Sequence, residues 1–170
     1  AEGLDSCAKG AMCWGVDMDG HGTCVGLCEG SWEAHTCPDP HVSCTINQSG
    51  TLNLCLPVCE PLLQDCGPGE ACYPIYDDEF ACAPDASGDA GAANDPCAFI
   101  NECAAGLLCG DPMFVGAGCA PGSSGCCTPF CGFPDGACPN PDQQCVQWFD
   151  PAMLPEGDSW LGIGACGVVL

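Results

Sequence analysis

The spacing of the cysteines limits this chain more than any other feature. There are 21 of them in 170 residues, and they recur in a fixed order. The clearest copy runs from Cys59 to Cys82. With its four cysteines lettered a to d, six residues separate Cys59 from Cys66, five separate Cys66 from Cys72, and nine separate Cys72 from Cys82. The b–c link, Gly67 to Ala71, reads as a tight Gly/Pro turn, since those residues supply the backbone angles that turns need. The c–d segment reads as a hairpin, with Tyr73 to Tyr76 and Phe80-Ala81 flanking a turn at Asp77-Asp78. Four cysteines in so short a stretch imply two local disulfides rather than a core.

A search for internal repeats finds this unit along the whole chain. Repeat II is Cys28, Cys37, Cys44 and Cys55; repeat III is Cys59, Cys66, Cys72 and Cys82; repeat V is Cys131, Cys138, Cys145 and Cys166. Repeat I has only b, c and d: Cys7, Cys13 and Cys24. Three residues join d to the next a in Cys24-Val-Gly-Leu-Cys28, Cys55-Leu-Pro-Val-Cys59 and Cys127-Thr-Pro-Phe-Cys131. That recurrence selects Cys127 over Cys119 as d of repeat IV, after Cys97, Cys103 and Cys109. Cys119 and Cys126 remain as an inserted pair closing Ala120 to Gly125.

Four cysteines allow three pairings. The expected one is a–c with b–d, because a b–c bridge would span one tight turn and leave the hairpin unclamped. It gives Cys7–Cys24, Cys28–Cys44, Cys37–Cys55, Cys59–Cys72, Cys66–Cys82, Cys97–Cys109, Cys103–Cys127, Cys119–Cys126, Cys131–Cys145 and Cys138–Cys166. Cys13 is left over, to be joined to another molecule or to a cysteine lying upstream. The expected fold class is therefore a small disulfide-rich chain, mostly β-hairpins and loops with little helix. Its expected organisation is a truncated repeat I (1–28), repeat II (28–58), repeat III (59–83), an acidic small-residue linker (84–96), repeat IV with its extra disulfide (97–130), and repeat V with an apolar tail (131–170). The linker would separate lobes of roughly 1–83 and 97–170.

Cysteine above about 8–10% marks a disulfide scaffold in a secreted chain, and stable disulfides imply an oxidising compartment. The expected location is extracellular, with a signal peptide removed. No apolar run approaches the ~18 residues needed to span a membrane. Only twelve aromatics, with 24 Gly and 16 Pro, leave little for one large core.

The net charge is −22, with 23 acidic residues and one basic residue, Lys9. This excludes nucleic acid as a partner, since phosphate contacts need Lys and Arg, and argues against anionic membranes. Unscreened acids repel one another and loosen a compact state, and bound cations are the simplest remedy. Asp17-Met-Asp19-Gly20 resembles part of a calcium loop: two carboxylates two residues apart, then a Gly that permits a sharp turn. An acidic hairpin turn is the alternative reading. Asp77, Asp78 and Glu79, three adjacent acids at a hairpin tip, form the second candidate cation site, with a solvated turn as its alternative. Asp85, Asp89, Asn94 and Asp95 fall in the linker, and Asp150, Glu156 and Asp158 share the long c–d loop of repeat V with Trp148 and Trp160. His35 and His41 read as solvent-exposed rather than as zinc ligands once the cysteines are oxidised. Asn47-Gln-Ser49 is a glycosylation sequon on an expected turn. Gly167-Val-Val-Leu170 reads as a strand to be added to a neighbouring sheet, or as packing on its own lobe.

The runs Cys59-Glu-Pro-Leu-Leu-Gln-Asp-Cys66, Ala81-Cys-Ala-Pro-Asp-Ala-Ser-Gly88 and Gly122-Ser-Ser-Gly-Cys-Cys-Thr-Pro-Phe-Cys131 resemble a group of predicted secreted cysteine-rich bacterial proteins. The resemblance covers nearly the whole chain. Members often carry the label ribulose-phosphate epimerase, which implies a (β/α)₈ barrel; this sequence has no strand–helix alternation and too many cysteines to build one. Relatives of this kind tend to continue upstream through a further Asp-Pro-Cys, as in Asp95-Pro-Cys97 here, which implies a partner for Cys13. The resemblance supplies no catalytic residues.

There is no Gly-x-Ser-x-Gly, no His-Glu-x-x-His and no phosphate loop. The expected function is a non-enzymatic secreted structural protein, calcium-binding and self-associating, as a subunit of an extracellular assembly or filament. A monomeric secreted binding or inhibitor module is the alternative, and a secreted hydrolase using the acidic loops is the third reading. Calcium is the expected cofactor.

Overall fold

The computed structural model describes residues 6–16, 18–31, 34–39, 41–46, 53–76, 79–88, 90–116, 118–154 and 158–169. Among them the chain is a series of short antiparallel strands. Helix is confined to one turn of α1 (Pro112–Val115) and two 3₁₀ turns, Ile100–Glu102 and Ser159–Gly162. The α1 turn forms because Asp111 accepts a hydrogen bond from the Met113 N–H and Pro112 occupies the first position, where no donor is needed. Elsewhere Gly, Pro and closely spaced Cys break the chain before a helical period can develop.

Contacts divide the chain into an N-terminal lobe, Ala1–Val58, and a C-terminal lobe, Cys59–Leu170. Among its described residues the N-terminal lobe has three hairpins: β1 (Ala11–Trp14) with β2 (Thr23–Gly26), β3 (Glu29–Ser31) with β4 (Ala34–Thr36), and β5 (Val42–Ile46) with β6 (Asn53–Pro57). Among its described residues the buried apolar ones are Val25, Leu54, Leu56 and the disulfide cysteines Cys44 and Cys55.

The C-terminal lobe opens with the hairpin β7 (Glu70–Tyr76) and β8 (Glu79–Pro84), irregular between Pro74 and Tyr76. It continues as a five-stranded sheet in which β10 (Leu107–Gly110), β11 (Gly125–Gly132), β13 (Ile163–Gly167) and β12 (Gln144–Gln147) lie side by side. A fifth strand, β9 (Pro96–Cys97), pairs with the start of β11. At eight residues β11 is long enough to hold β9 and β10 at one end and β13 at the other.

Here the expectation of little core is corrected. Phe80 is fully buried, with its ring 5.4 Å from Phe130, 5.6 Å from Phe149, 6.1 Å from Trp160 and 6.3 Å from Trp148. Leu108, Ile163 and Ala165 complete the cluster, with Phe114 and Leu154 against its edge. Edge-to-face ring pairs of this kind contribute about 0.5–1.5 kcal/mol each beyond burial. The rings come from three separate repeats, so no local run of apolar residues announces them.

One further expectation is met differently, and one of two open readings is decided. Residues 84–88 and 90–96 lie inside the C-terminal lobe, not between lobes. The Ala86 N–H donates to the Asn101 carbonyl, the Ala104 N–H to Gly91, the Asn94 N–H to Cys127, and the Cys127 N–H to Asp95. Small residues permit this closeness: a Cβ on Gly91 would stand 2.4 Å from the Glu102 carbonyl oxygen. The apolar tail also stays at home. Strand β13 is held between β11 and β12, and the Val168 N–H donates to the Phe114 carbonyl, leaving Val169 exposed.

Candidate functional site

The recurring structural element is a hairpin held by two disulfides. In every repeat c and d face each other across the hairpin: Cys13 opposite Cys24, Cys44 opposite Cys55, Cys72 opposite Cys82, Cys109 opposite Cys127, and Cys145 opposite Cys166. Directly opposed cysteines on neighbouring strands each reach outward to the a–b segment instead of to one another. Thus Cys28–Cys44, Cys59–Cys72, Cys97–Cys109 and Cys131–Cys145 join a to c. Cys7–Cys24, Cys37–Cys55, Cys66–Cys82, Cys103–Cys127 and Cys138–Cys166 join b to d. Cys119–Cys126 closes the insert. Cα separations run from 5.4 to 5.9 Å, inside the usual disulfide range. Cys13 lies outside these ten bonds.

The two disulfides of a repeat are in contact. Three sulfurs lie within 4.8 Å of one another in repeats II (Cys28, Cys37, Cys55), III (Cys59, Cys66, Cys72), IV (Cys97, Cys103, Cys109) and V (Cys131, Cys138, Cys166). A metal takes sulfur as the thiolate. These sulfurs are all committed to disulfides, so each trio is a clasp and not a metal site.

Residue a also makes a third strand. It pairs two positions before d: the Cys28 N–H donates to the Asn53 carbonyl, the Cys59 N–H to Phe80, and Cys97 and Cys131 stand opposite Gly125 and Gly164. The residue before a pairs one position before d, as in Leu27 with Leu54, Pro96 with Cys126, and Phe130 with Ala165. In repeats I, IV and V the position two before d is glycine. Added Cβ atoms at Gly125 and Gly164 would each stand 2.6 Å from the sulfur of c, Cys109 or Cys145. The local sequences Gly22-Thr-Cys24, Gly125-Cys-Cys127 and Gly164-Ala-Cys166 carried this signal, which spacing of the cysteines alone does not reveal. Repeats II and III place Asn53 and Phe80 there.

The acidic residues have a second use. Among the described residues, nine carboxylates accept backbone N–H groups in their own turns: Asp39 from His41, Glu60 from Leu62, Asp65 from Glu60, Asp85 from Ser87, Asp95 from Ala92, Glu102 from Ala98 and Phe99, Asp111 from Met113, Asp150 from Ala152, and Asp158 from Trp160. Short Asp and Glu side chains satisfy donors that a turn leaves unpaired. A chain made of turns therefore uses many of them. Of the candidate cation ligands, Asp19 is exposed in the β1–β2 connection and Glu79 is half-buried at the start of β8. Asp17, Asp77 and Asp78 lie outside the described residues, as do the sequon, Asp89 and Glu156. His35 and His41 are exposed.

Among the described residues, one titratable group is displaced. Tyr73 is fully buried and its hydroxyl donates to the Cys103 carbonyl at 2.8 Å, joining repeat III to repeat IV. Burial first, and then the nearby carboxylate of Asp85, holds its phenol far above the usual tyrosine range.

No protein family, curated protein or solved structure matches the chain.

Proposed function

We propose that this is a secreted, non-enzymatic structural protein that self-associates with the help of bound calcium. The observation that carries the reading is an acidic surface without counter-charge, 23 acids against one base, on a scaffold fastened by ten disulfides. The disulfides support an oxidising, extracellular setting. Two such surfaces repel unless cations stand between them. Calcium takes six to eight oxygens, more than one short loop offers, so ligands from two copies serve it well. Asp17 and Asp19 are the first candidates, and Asp77, Asp78 and Glu79 the second. Apolar side chains left in water, including Leu62-Leu63 and Phe99-Ile100, favour a protein contact over an entirely solvated surface.

Calorimetry and light scattering across a calcium titration test both halves. The expected result is heat on binding and growth in size, both reduced by Asp17→Asn with Asp19→Asn. No heat and an unchanged monomer would reject the reading and favour a monomeric binding module.

A further inference from the structure

Repeat II is built from two hairpins. Its a–b segment is the hairpin of β3 and β4, paired Glu29 to Thr36, Gly30 to His35 and Ser31 to Ala34. Cys28 and Cys37 flank it one step beyond the Glu29–Thr36 pair, so a and b stand at its open end. Its c–d segment is the hairpin of β5 and β6, with Cys44 opposite Cys55. The disulfides Cys28–Cys44 and Cys37–Cys55 therefore run between the hairpins and not within either. Among the described residues, apolar burial does little to fasten the first hairpin. Glu29, Gly30, Ala34, His35 and Thr36 are exposed, and none of the lobe's described buried apolar residues lies in β3 or β4.

The same four sulfurs are also placed for another pairing. Those of Cys28, Cys37 and Cys55 lie within 4.8 Å of one another, although Cys28 is bonded to neither of the other two. Cys44 and Cys55 are opposed on antiparallel strands. Residues so opposed share a face, with Cα atoms about 4.5–5.5 Å apart, inside the span of a disulfide. Of the four full repeats, only repeat II leaves both a and b half-buried; in repeats III, IV and V the cysteine at a is buried. A thiolate from solvent thus reaches Cys28 and Cys37 before the buried Cys44 and Cys55.

We propose that repeat II is a thiol-operated switch between this crossed pairing and a second one, Cys28–Cys37 with Cys44–Cys55. In the second pairing each hairpin carries its own staple, and the β3–β4 hairpin is released from β5–β6. The exchange runs by thiolate attack through a mixed disulfide and balances without an oxidant. The thiolate of a small thiol attacks the Cys28 sulfur, breaking Cys28–Cys44 and leaving a thiolate on Cys44. Cys44 attacks Cys55 across the hairpin, breaking Cys37–Cys55 and leaving a thiolate on Cys37. Cys37 then attacks Cys28, forming Cys28–Cys37 and expelling the small thiolate. Each bond broken is matched by one formed, and the thiol is recovered. The switch needs neither calcium nor self-association.

The test incubates the native oxidised protein, without air, with less than one equivalent of glutathione at mildly alkaline pH. Acid quenching, peptic digestion and peptide mapping follow. Cys28–Cys37 and Cys44–Cys55 should appear in more protein molecules than there are molecules of glutathione, while repeats III, IV and V keep their crossed pairs. In the converted protein, exchange of the Cys28 amide, which donates to the Asn53 carbonyl, should quicken at least about tenfold. Retention of Cys28–Cys44 and Cys37–Cys55, their loss to free thiols alone, or conversion with Cys28 exchange unchanged would overturn the proposal. Two double variants check the second pairing directly. Cys28→Ala with Cys37→Ala leaves Cys44 and Cys55, and Cys44→Ala with Cys55→Ala leaves Cys28 and Cys37. After folding in a glutathione redox buffer each remaining pair should be bonded to itself; recovery of either as thiols or glutathione adducts, with the disulfides of the other repeats in place, also overturns it.

Discussion

Gly164→Ala asks whether the clasps need the close packing seen in the structure. Gly164 lies in β13, fully enclosed between β11 and β12. Its φ is not positive, so alanine meets no backbone penalty there. All the cost comes from space. The new methyl would stand 2.6 Å from the Cys145 sulfur, 2.7 Å from the Val146 carbonyl oxygen and 3.3 Å from the Cys131 sulfur. None of these neighbours is the loose end of a flexible chain: two are bonded to each other and the third is backbone. Overpacking a core costs typically about 1–3 kcal/mol, and such fixed neighbours put this site at the upper end, about 3 kcal/mol. At about 4 °C per kcal/mol for a lobe of this size, Tm should fall by about 12 °C. Gly132→Ala is the matched control, since Gly132 lies opposite Ile163 in the same sheet with nothing within 4 Å of its added Cβ. It should change stability by no more than about 0.5 kcal/mol. Calorimetry of the oxidised proteins measures both. Equal Tm values for the two variants would refute the packing argument.

Three further outcomes are expected. Phe80→Ala removes the ring that four others surround, and should cost about 3–5 kcal/mol and erase most of the near-UV circular dichroism of the C-terminal lobe; a loss under 1 kcal/mol would mean that the cluster is not a core. The buried Tyr73 keeps its proton in the folded state at pH values where the unfolded phenol, with its ordinary pKa near 10, loses it. The stability contributed by its neutral form is thus fully present below about pH 10 and declines as pH rises above it, a decline that Tyr73→Phe should remove from the pH dependence of unfolding. Trypsin has one site, after Lys9, and the Cys7–Cys24 bond should retain the released peptide, so the intact mass should gain one water and fall only on reduction; an acid-specific protease should cut the reduced chain rapidly and the oxidised chain slowly.

What could be read from the sequence divides along local and distant lines. Within a repeat, a hairpin with c and d opposed brings b near d and a near c, so short-range spacing contains the crosslinks. The turns were also legible, as in Gly67-Pro-Gly69, where the Glu70 N–H returns to the Gly67 carbonyl. The aromatic cluster was not, because Phe80, Phe130, Phe149 and Trp160 are brought together only by pairing of β11 with β13 and by packing of hairpins from different repeats. Residues 84–96 looked like a linker because small and acidic residues are common to linkers and to tight turns; the difference lies in distant partners such as Asn101 and Cys127. Gln64 shows the same limit. Its side chain accepts from the buried Cys72 N–H, a contact made possible by a positive φ that no residue type announces. The acids gave the most ambiguous signal, since an Asp that caps a turn and an Asp that holds a cation look alike in a sequence.

Non-reducing peptide mapping by mass spectrometry tests the clasped repeat most directly. Digestion of the oxidised protein should yield a–c and b–d pairs, with Cys59 joined to Cys72 and Cys66 to Cys82, and the same pattern in repeats II, IV and V. Recovery of b–c pairs, such as Cys66 with Cys72 or Cys138 with Cys145, would contradict it.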